Sequence, residues 1–295
     1  MNAWRILKTT WSEFSDDDCP TMAAALAYYT AFSLPSVLLI VLFIAGSFLG
    51  RAAVEGQIEQ RIGSTVGPSV ATLVEGMVRS ASQSTNGGTI ATVLGIAGLL
   101  YAATNSFAQL QAAMNLAWRV KPRGSGWKTL ALKRFISFLL LVGVSILVLV
   151  SLVTATAATG LAGRAGIALP GWSMYALDIV ISWFVFMVLF GVLFKILPDA
   201  RIGWGDVKAG AMVTATLFIL GKFLIGLYLS HSSAASAYGA AGALALLLLW
   251  TYYSAMIFLF GVELTQVWAR QRGRTVEPEE GAVRLKEEEI PPRAA

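Results

Sequence analysis

Between Asp18 and Arg51 no residue carries a formal charge. A bilayer's hydrocarbon core, about 30 Å thick, takes roughly 20 apolar residues in a helix, so this one interval is long enough to cross it. Similar runs recur along nearly the whole chain. We read six spans: Thr21 to Leu49, Thr89 to Gln109, Phe135 to Leu161, Ala176 to Leu197, Ala209 to Leu229, and Gly239 to Leu264. The fourth carries Asp178 and Lys195 near its ends, and the fifth contains Lys222. The fold class expected is an all-α polytopic membrane protein, with six transmembrane helices and amphipathic interfacial helices.

Composition agrees and excludes much else. Of the 295 residues, 56% are hydrophobic and 13% charged, where a soluble domain carries about 25%. One cysteine, Cys19, forms no internal bridge, and one histidine, His231, anchors no metal site without converging carboxylates. No cofactor or metal is expected. His231 lies among serines in an outer turn, and a serine hydrolase reading finds no sequence elbow and no placed acid.

The sign and place of the charges set the topology. Seventeen of the Lys and Arg residues fall on the side of the two termini and four on the other, with Lys222 inside a span. Positive loops stay cytoplasmic, so both termini are expected there. The same asymmetry accounts for the net charge of +5 without a nucleic-acid partner.

Residues 1–20 are expected to form a cytoplasmic interfacial helix. Trp4, Leu7, Trp11 and Phe14 share one face, with Arg5 and Lys8 elsewhere. Asp16, Asp17 and Asp18 precede Pro20, where carboxylates cap the first span; a phosphate or metal role for them is the competing reading. Residues 21–270 form the transmembrane domain. Within it the outer loop 50–88 carries two short amphipathic helices, the clearer one with Val70, Leu73, Val74, Met77 and Val78 after Pro68. Residues 271–295 alternate basic and acidic groups and are expected to be a disordered cytoplasmic tail.

Polar groups at bilayer depth mark candidate sites. Lys222 and Asp178 lie at similar depths in spans five and four, about 6 Å apart along the normal, and are expected to pair if those helices are neighbours. The pair would line a path for an anionic solute or serve as a structural ion pair. A second set faces the cytoplasmic side: Tyr28 and Tyr29 in span one, Tyr101, Asn105 and Gln109 in span two, Tyr252, Tyr253 and Glu263 in span six. It predicts an inward-open vestibule; the alternative is hydrogen bonding between helices. Glu263 would sit at the interface or meet Lys195. Pro35 should kink span one, as in broken transporter helices. Ala23, Ala24, Ala27, Ala31, Gly95, Gly98, Gly239 and Gly242 are packing positions.

The stretches Ala23 to Leu34 (AAALAYYTAFSL) and Tyr238 to Thr265 (YGAAGALALLLLWTYYSAMIFLFGVELT) resemble the YihY or virulence factor BrkB family. Leu197-Pro198-Asp199, Trp204-Gly205-Asp206-Val207 and Gly221-Lys222-Phe223 extend the resemblance over residues 5 to 270. It implies a six-span protein of the bacterial inner membrane, with Lys222 and Glu263 at typical family positions. Some members once bore a ribonuclease BN label; with no cluster of His and carboxylates and no soluble domain, that label is mistaken here and no enzyme is expected. The functional expectation is a transporter or flippase-like carrier of a lipid-like or anionic solute, in contact with membrane lipids. Its rival is a non-transporting scaffold or envelope-assembly and resistance factor.

Overall fold

In hydrocarbon every backbone N–H and C=O must find a partner within the chain, which a helix provides from its own residues. The long apolar runs fold accordingly. The computed structural model describes residues 3–49, 56, 59–60, 62–63, 66–83, 89–123, 135–136, 139, 142–143, 146, 171–231, 239–274, 277–279 and 281–285. Its helices are α1 (Ala3–Asp16), α2 (Cys19–Leu49), α3 (Pro68–Gln83), α4 (Thr89–Ala117), α5 (Gly171–Ile196), α6 (Trp204–His231) and α7 (Gly239–Gln271). Short strands are β1 (Val120–Pro122), β2 (Ala200–Arg201), β3 (Glu277–Pro278) and β4 (Ala282–Arg284).

Among the described residues, four helical stretches are long and apolar enough to cross a membrane: Cys19–Phe43, Asp178–Ile196, Trp204–Ile225 and Ala241–Gln271. They fall on the first, fourth, fifth and sixth expected spans. The second expected span lies within α4, a continuous helix that is not one of these four. The third lies for the most part outside the described residues.

Helices α4, α2, α7, α6 and α5 pack as successive neighbours, and α3 lies against both α2 and α7. Neighbours run antiparallel, so one end of the bundle gathers α1 and all four strands. We call it the terminal end and the opposite one the far end. At the terminal end Phe14, Cys19, Met114, Trp118, Phe194, Leu197, Val207 and Val262 form one buried core that joins every long helix. Phe186, Phe190 and Phe194 of α5 extend it toward the far end against Phe218 and Phe258, at ring separations of 4.6–6.1 Å across the helices.

The tightest crossing is between α6 and α7. A Cβ on Gly210 would collide with Thr265, and one on Gly261 would collide with Thr214. Each threonine hydroxyl donates to the carbonyl of the glycine four residues earlier in its own helix, Thr214 to Gly210 and Thr265 to Gly261, both at 2.7 Å. The two Gly-x-x-x-Thr units thus interlock reciprocally. Farther along, Gly221 leaves room for the ring of Tyr253. Of the small residues read as packing positions, Ala23, Ala27 and Ala31 are buried, whereas at Gly98 a Cβ would meet nothing within 4 Å.

α1 departs from expectation on one residue. Trp4, Leu7 and Trp11 are exposed, whereas Phe14 is 2% exposed and turned inward. Ile6, Thr10 and Phe14, spaced by four, make the packed stripe, with Ile6 against Leu264 and Val267 of α7. Of the three aspartates, Asp18 performs the capping. Its φ of 51° turns the chain, its carbonyl accepts from the amides of Thr21 and Met22, and its carboxylate accepts from the Thr21 hydroxyl at 2.9 Å.

The expected disorder of residues 271–295 is corrected over 277–279 and 281–285. β4 pairs antiparallel with β1, Lys121 facing Val283, and β3 pairs antiparallel with β2, Ala200 facing Pro278. The partners lie some 80–160 positions earlier in the chain, so a mixed-charge composition gave no local sign of them. Arg274 secures the approach, with Nη1 2.8 Å from Asp206 Oδ2, while Arg272 stands 3.9 Å from Asp206 Oδ1. The Asp206 side chain is 2% exposed and that of Arg274 54%, so the pair is half solvated and is worth little more than one charged hydrogen bond. Arg274→Ala should lower unfolding stability by about 2 kcal/mol. Arg272→Ala should cost less, and equal thermal shifts for the two variants would contradict this geometry.

Candidate functional site

Two places hold polar groups in arrangements that packing alone does not require. The first is at the terminal end, where α1, the start of α2, the turn after α4 and the last turns of α7 meet. Glu13 and Asp17 stand four positions apart and project on one side of α1 and its exit turn, toward Glu263 of α7. One carboxylate oxygen from each of the three lies within 4.8 Å of the others. Glu263 is fully buried; Cys19 Sγ donates to its Oε1 at 3.9 Å. Arg119 Nη2 reaches Asp17 Oδ1 at 3.1 Å and Glu13 Oε2 at 3.7 Å, and Arg270 Nη2 reaches Glu13 Oε1 at 3.0 Å. The expected meeting of Glu263 with Lys195 does not occur. Lys195 instead donates to the carbonyl of Ile202 at 2.5 Å, which ties α5 to the loop before α6.

The second place is a cavity of about 630 Å³ between α2 and α3, toward the far end. Phe32, Pro35, Leu73 and Met77 supply its apolar walls, and Ser36, Thr72 and Ser80 its hydroxyls. Pro35 lies inside α2, where it removes one backbone hydrogen bond and frees a carbonyl of the preceding turn. Gly76 also lines the cavity, and a Cβ there would meet nothing within 4 Å.

The remaining candidates are dispersed. Tyr28 and Tyr29 are exposed on α2, with ring centroids 5.7 Å apart, and Tyr101 is exposed on α4. Asn105 and Gln109 are half-buried, as are Tyr252 and Tyr253. Tyr252 packs on the terminal core and Tyr253 fills the gap over Gly221. Among the described residues, a buried core around Phe194 and Met114 lies at the terminal end, and the lining of the cavity between α2 and α3 does not include Tyr29, Asn105 or Glu263.

Lys222 and Asp178 do not pair. Their helices are neighbours and their depths agree, since Trp183 Nε1 donates to Thr216 Oγ1 at 3.0 Å between them. The failure is one of direction. Asp178 sits about 160° around α5 from Phe194, at 100° per residue, so it is exposed on the face away from the core that Lys222 approaches.

Sequence reading missed Glu13, Arg119 and Arg270 as neighbours of Glu263, and favoured a capping role for Asp17 over the competing phosphate or metal role. The usable signal was the Glu13–Asp17 spacing beside a span that ends in an acid. It also missed Asn115 (6% exposed), whose Nδ2 donates to Asp199 Oδ2 at 2.7 Å and whose Oδ1 accepts from the Asp199 amide at 2.8 Å.

Residues 10–285 match the family model described as virulence factor BrkB. Among curated proteins, a UPF0761 membrane protein of Alteromonas mediterranea is 27% identical over 257 residues, which cover 85% of this chain and 83% of the relative. A UPF0761 membrane protein of Cronobacter sakazakii is 26% identical, covering 89% and 87%. A ribonuclease-like protein of Bacillus subtilis, YfkH, is 24% identical, covering 90% and 96%. No solved structure matches.

Proposed function

This chain belongs to the virulence factor BrkB family, and from that premise we propose a six-span carrier of a lipid-like or anionic solute in a bacterial inner membrane. The observation that carries the reading is the contrast, among the described residues, between a packed terminal end and an open groove between α2 and α3 farther along the bundle. A carrier that exposes its site to one side at a time has this asymmetry in each of its end states. Hydroxyls set among Phe32, Leu73 and Met77 suit a molecule with both polar and apolar parts. The Pro35 interruption inside α2 supplies a point of bending beside the cavity.

Six spans are supported by where the described segments end. Arg123 follows α4 at the terminal end, and Gly171 opens α5 at the far end. The third expected span, Phe135 to Leu161, falls in the sequence between these two ends. The 17-to-4 division of Lys and Arg supports a cytoplasmic terminal end, with the cavity facing outward.

The name of the B. subtilis relative raises a ribonuclease reading, which we set aside. Glu263, the carboxylate at the centre of the described acidic group, is fully buried and out of reach of an RNA phosphate.

Reconstitution into liposomes with labelled lipids and a panel of small anions tests the proposal. Gly76→Leu fills the cavity without meeting a neighbour and replaces a residue that weakens helices. It should cut movement by about tenfold, equivalent to ~1.4 kcal/mol on the barrier, with no loss of thermal stability. No movement of any probe by the wild type would remove the carrier reading and leave the scaffold.

A further inference from the structure

We propose that Glu13, Asp17 and Glu263 hold a single hard monovalent cation, with Na⁺ as its probe, at the terminal end of the bundle. The inference concerns binding and stands independently of the carrier reading.

Geometry is the first argument. Three carboxylate oxygens within 4.8 Å of one another can all be reached from one central point at no more than about 2.8 Å, close to a hard cation's oxygen distance of roughly 2.3–2.6 Å. An all-oxygen set selects hard ions over soft ones. The second argument is an atom left over by everything else. Glu263 is 0% exposed, and its Oε2 has no hydrogen-bond partner. Its other oxygen has only the Cys19 thiol, a weak donor, at 3.9 Å. A buried carboxylate with one oxygen unpartnered and two further carboxylates within 4.8 Å is costly unless something positive lies between them.

Charge then decides the valence. Arg119 and Arg270 contribute two positive charges, both directed at Glu13 and Asp17 rather than Glu263. Among the described residues, three carboxylates against these two guanidiniums leave one negative charge, which a monovalent ion cancels and a divalent ion overshoots. Access exists at the rim: the Glu13 side chain is 19% exposed, and those of Arg119 and Arg270 40% and 43%.

The test uses the full chain in detergent. Thermal unfolding is followed against Na⁺ at constant ionic strength, with choline as the replacement, and equilibrium binding of radioactive Na⁺ is measured alongside. The wild type should gain several degrees in a saturable way and bind one Na⁺. Glu263→Gln should abolish both responses. Arg270→Met removes a neighbouring positive charge and should lower the half-saturating Na⁺ concentration. Should Glu263→Gln fail to fold, Asp17→Asn takes its place, with weakened binding expected. The proposal is overturned if the wild type shows no saturable response to Na⁺, or if Glu263→Gln retains it. It is equally overturned if only Mg²⁺ or Ca²⁺ stabilises, or if pH moves stability where Na⁺ does not, which would assign the place to a proton.

Discussion

Gly210→Leu and Gly261→Leu should each abolish recovery of folded protein, the largest loss expected of any single substitution in the chain. Even the first carbon added at either position overlaps a threonine of the facing helix. At Gly210 it also comes within 3.0 Å of the Gly261 carbonyl oxygen, and at Gly261 within 2.9 Å of Phe194 Cζ. Ordinary overpacking by a methylene costs about 1–3 kcal/mol because side chains can give way. Here the obstruction includes backbone and fully buried groups, so α6 and α7 must separate along their whole crossing. In a bilayer, helices associate through such close approach rather than through hydrophobic exclusion, and nothing replaces it once lost. Monodisperse yield on size exclusion and thermal unfolding read the effect. Reciprocity gives the control: Gly261→Ala combined with Thr214→Gly moves the bulk across the interface and should recover part of what Gly261→Ala alone loses. If the double variant is no better than the single, the interlock is not the cause.

Asn115→Ala should be the next most damaging, at about 3 kcal/mol, the sum of a charge-assisted hydrogen bond and an amide left without its acceptor in a nearly dry place. Asn115 holds both the carboxylate and the backbone amide of Asp199, and the Asp199 carbonyl in turn accepts from the amide of Glu279. One α4 side chain therefore fixes the loop between α5 and α6 and, through it, the strand that follows α7. Gln111, which donates only to Asp199 Oδ1 at 3.1 Å, should cost about 1 kcal/mol on truncation to Ala. Unfolding experiments on the two variants would contradict this account if their losses were alike.

The helices were legible in the sequence wherever charge-free length decided the matter, as in the intervals that became α2, α5, α6 and α7. Depth was legible too: Lys222 and Asp178 do lie at one level. Azimuth was not, because a helix that is apolar all round carries no amphipathic stripe to show which side faces its neighbours. Only the structure places Asp178 outward. The same blindness hid the glycines that matter, since Gly210, Gly221 and Gly261 differ from Gly98 solely in what stands opposite. Glu263 was legible as an unusual residue near the end of an apolar span. Its acidic neighbours Glu13 and Asp17 were not, lying some 250 positions earlier in the chain. Residues 277–279 and 281–285 failed for a related reason. Strands of two or three residues have no periodicity of their own, and their meaning is in the loops they join.

That last arrangement governs when the protein can be complete during its synthesis. The stitches at the terminal end are made by residues translated after all seven helices, and each reaches back to a turn laid down much earlier, around Lys121 and Ala200. Until they emerge, both turns lack their strand partners at the terminal end. A chain stopped just past Gln271 would thus contain every helix described and still lack the clasp that tells a finished molecule from an unfinished one.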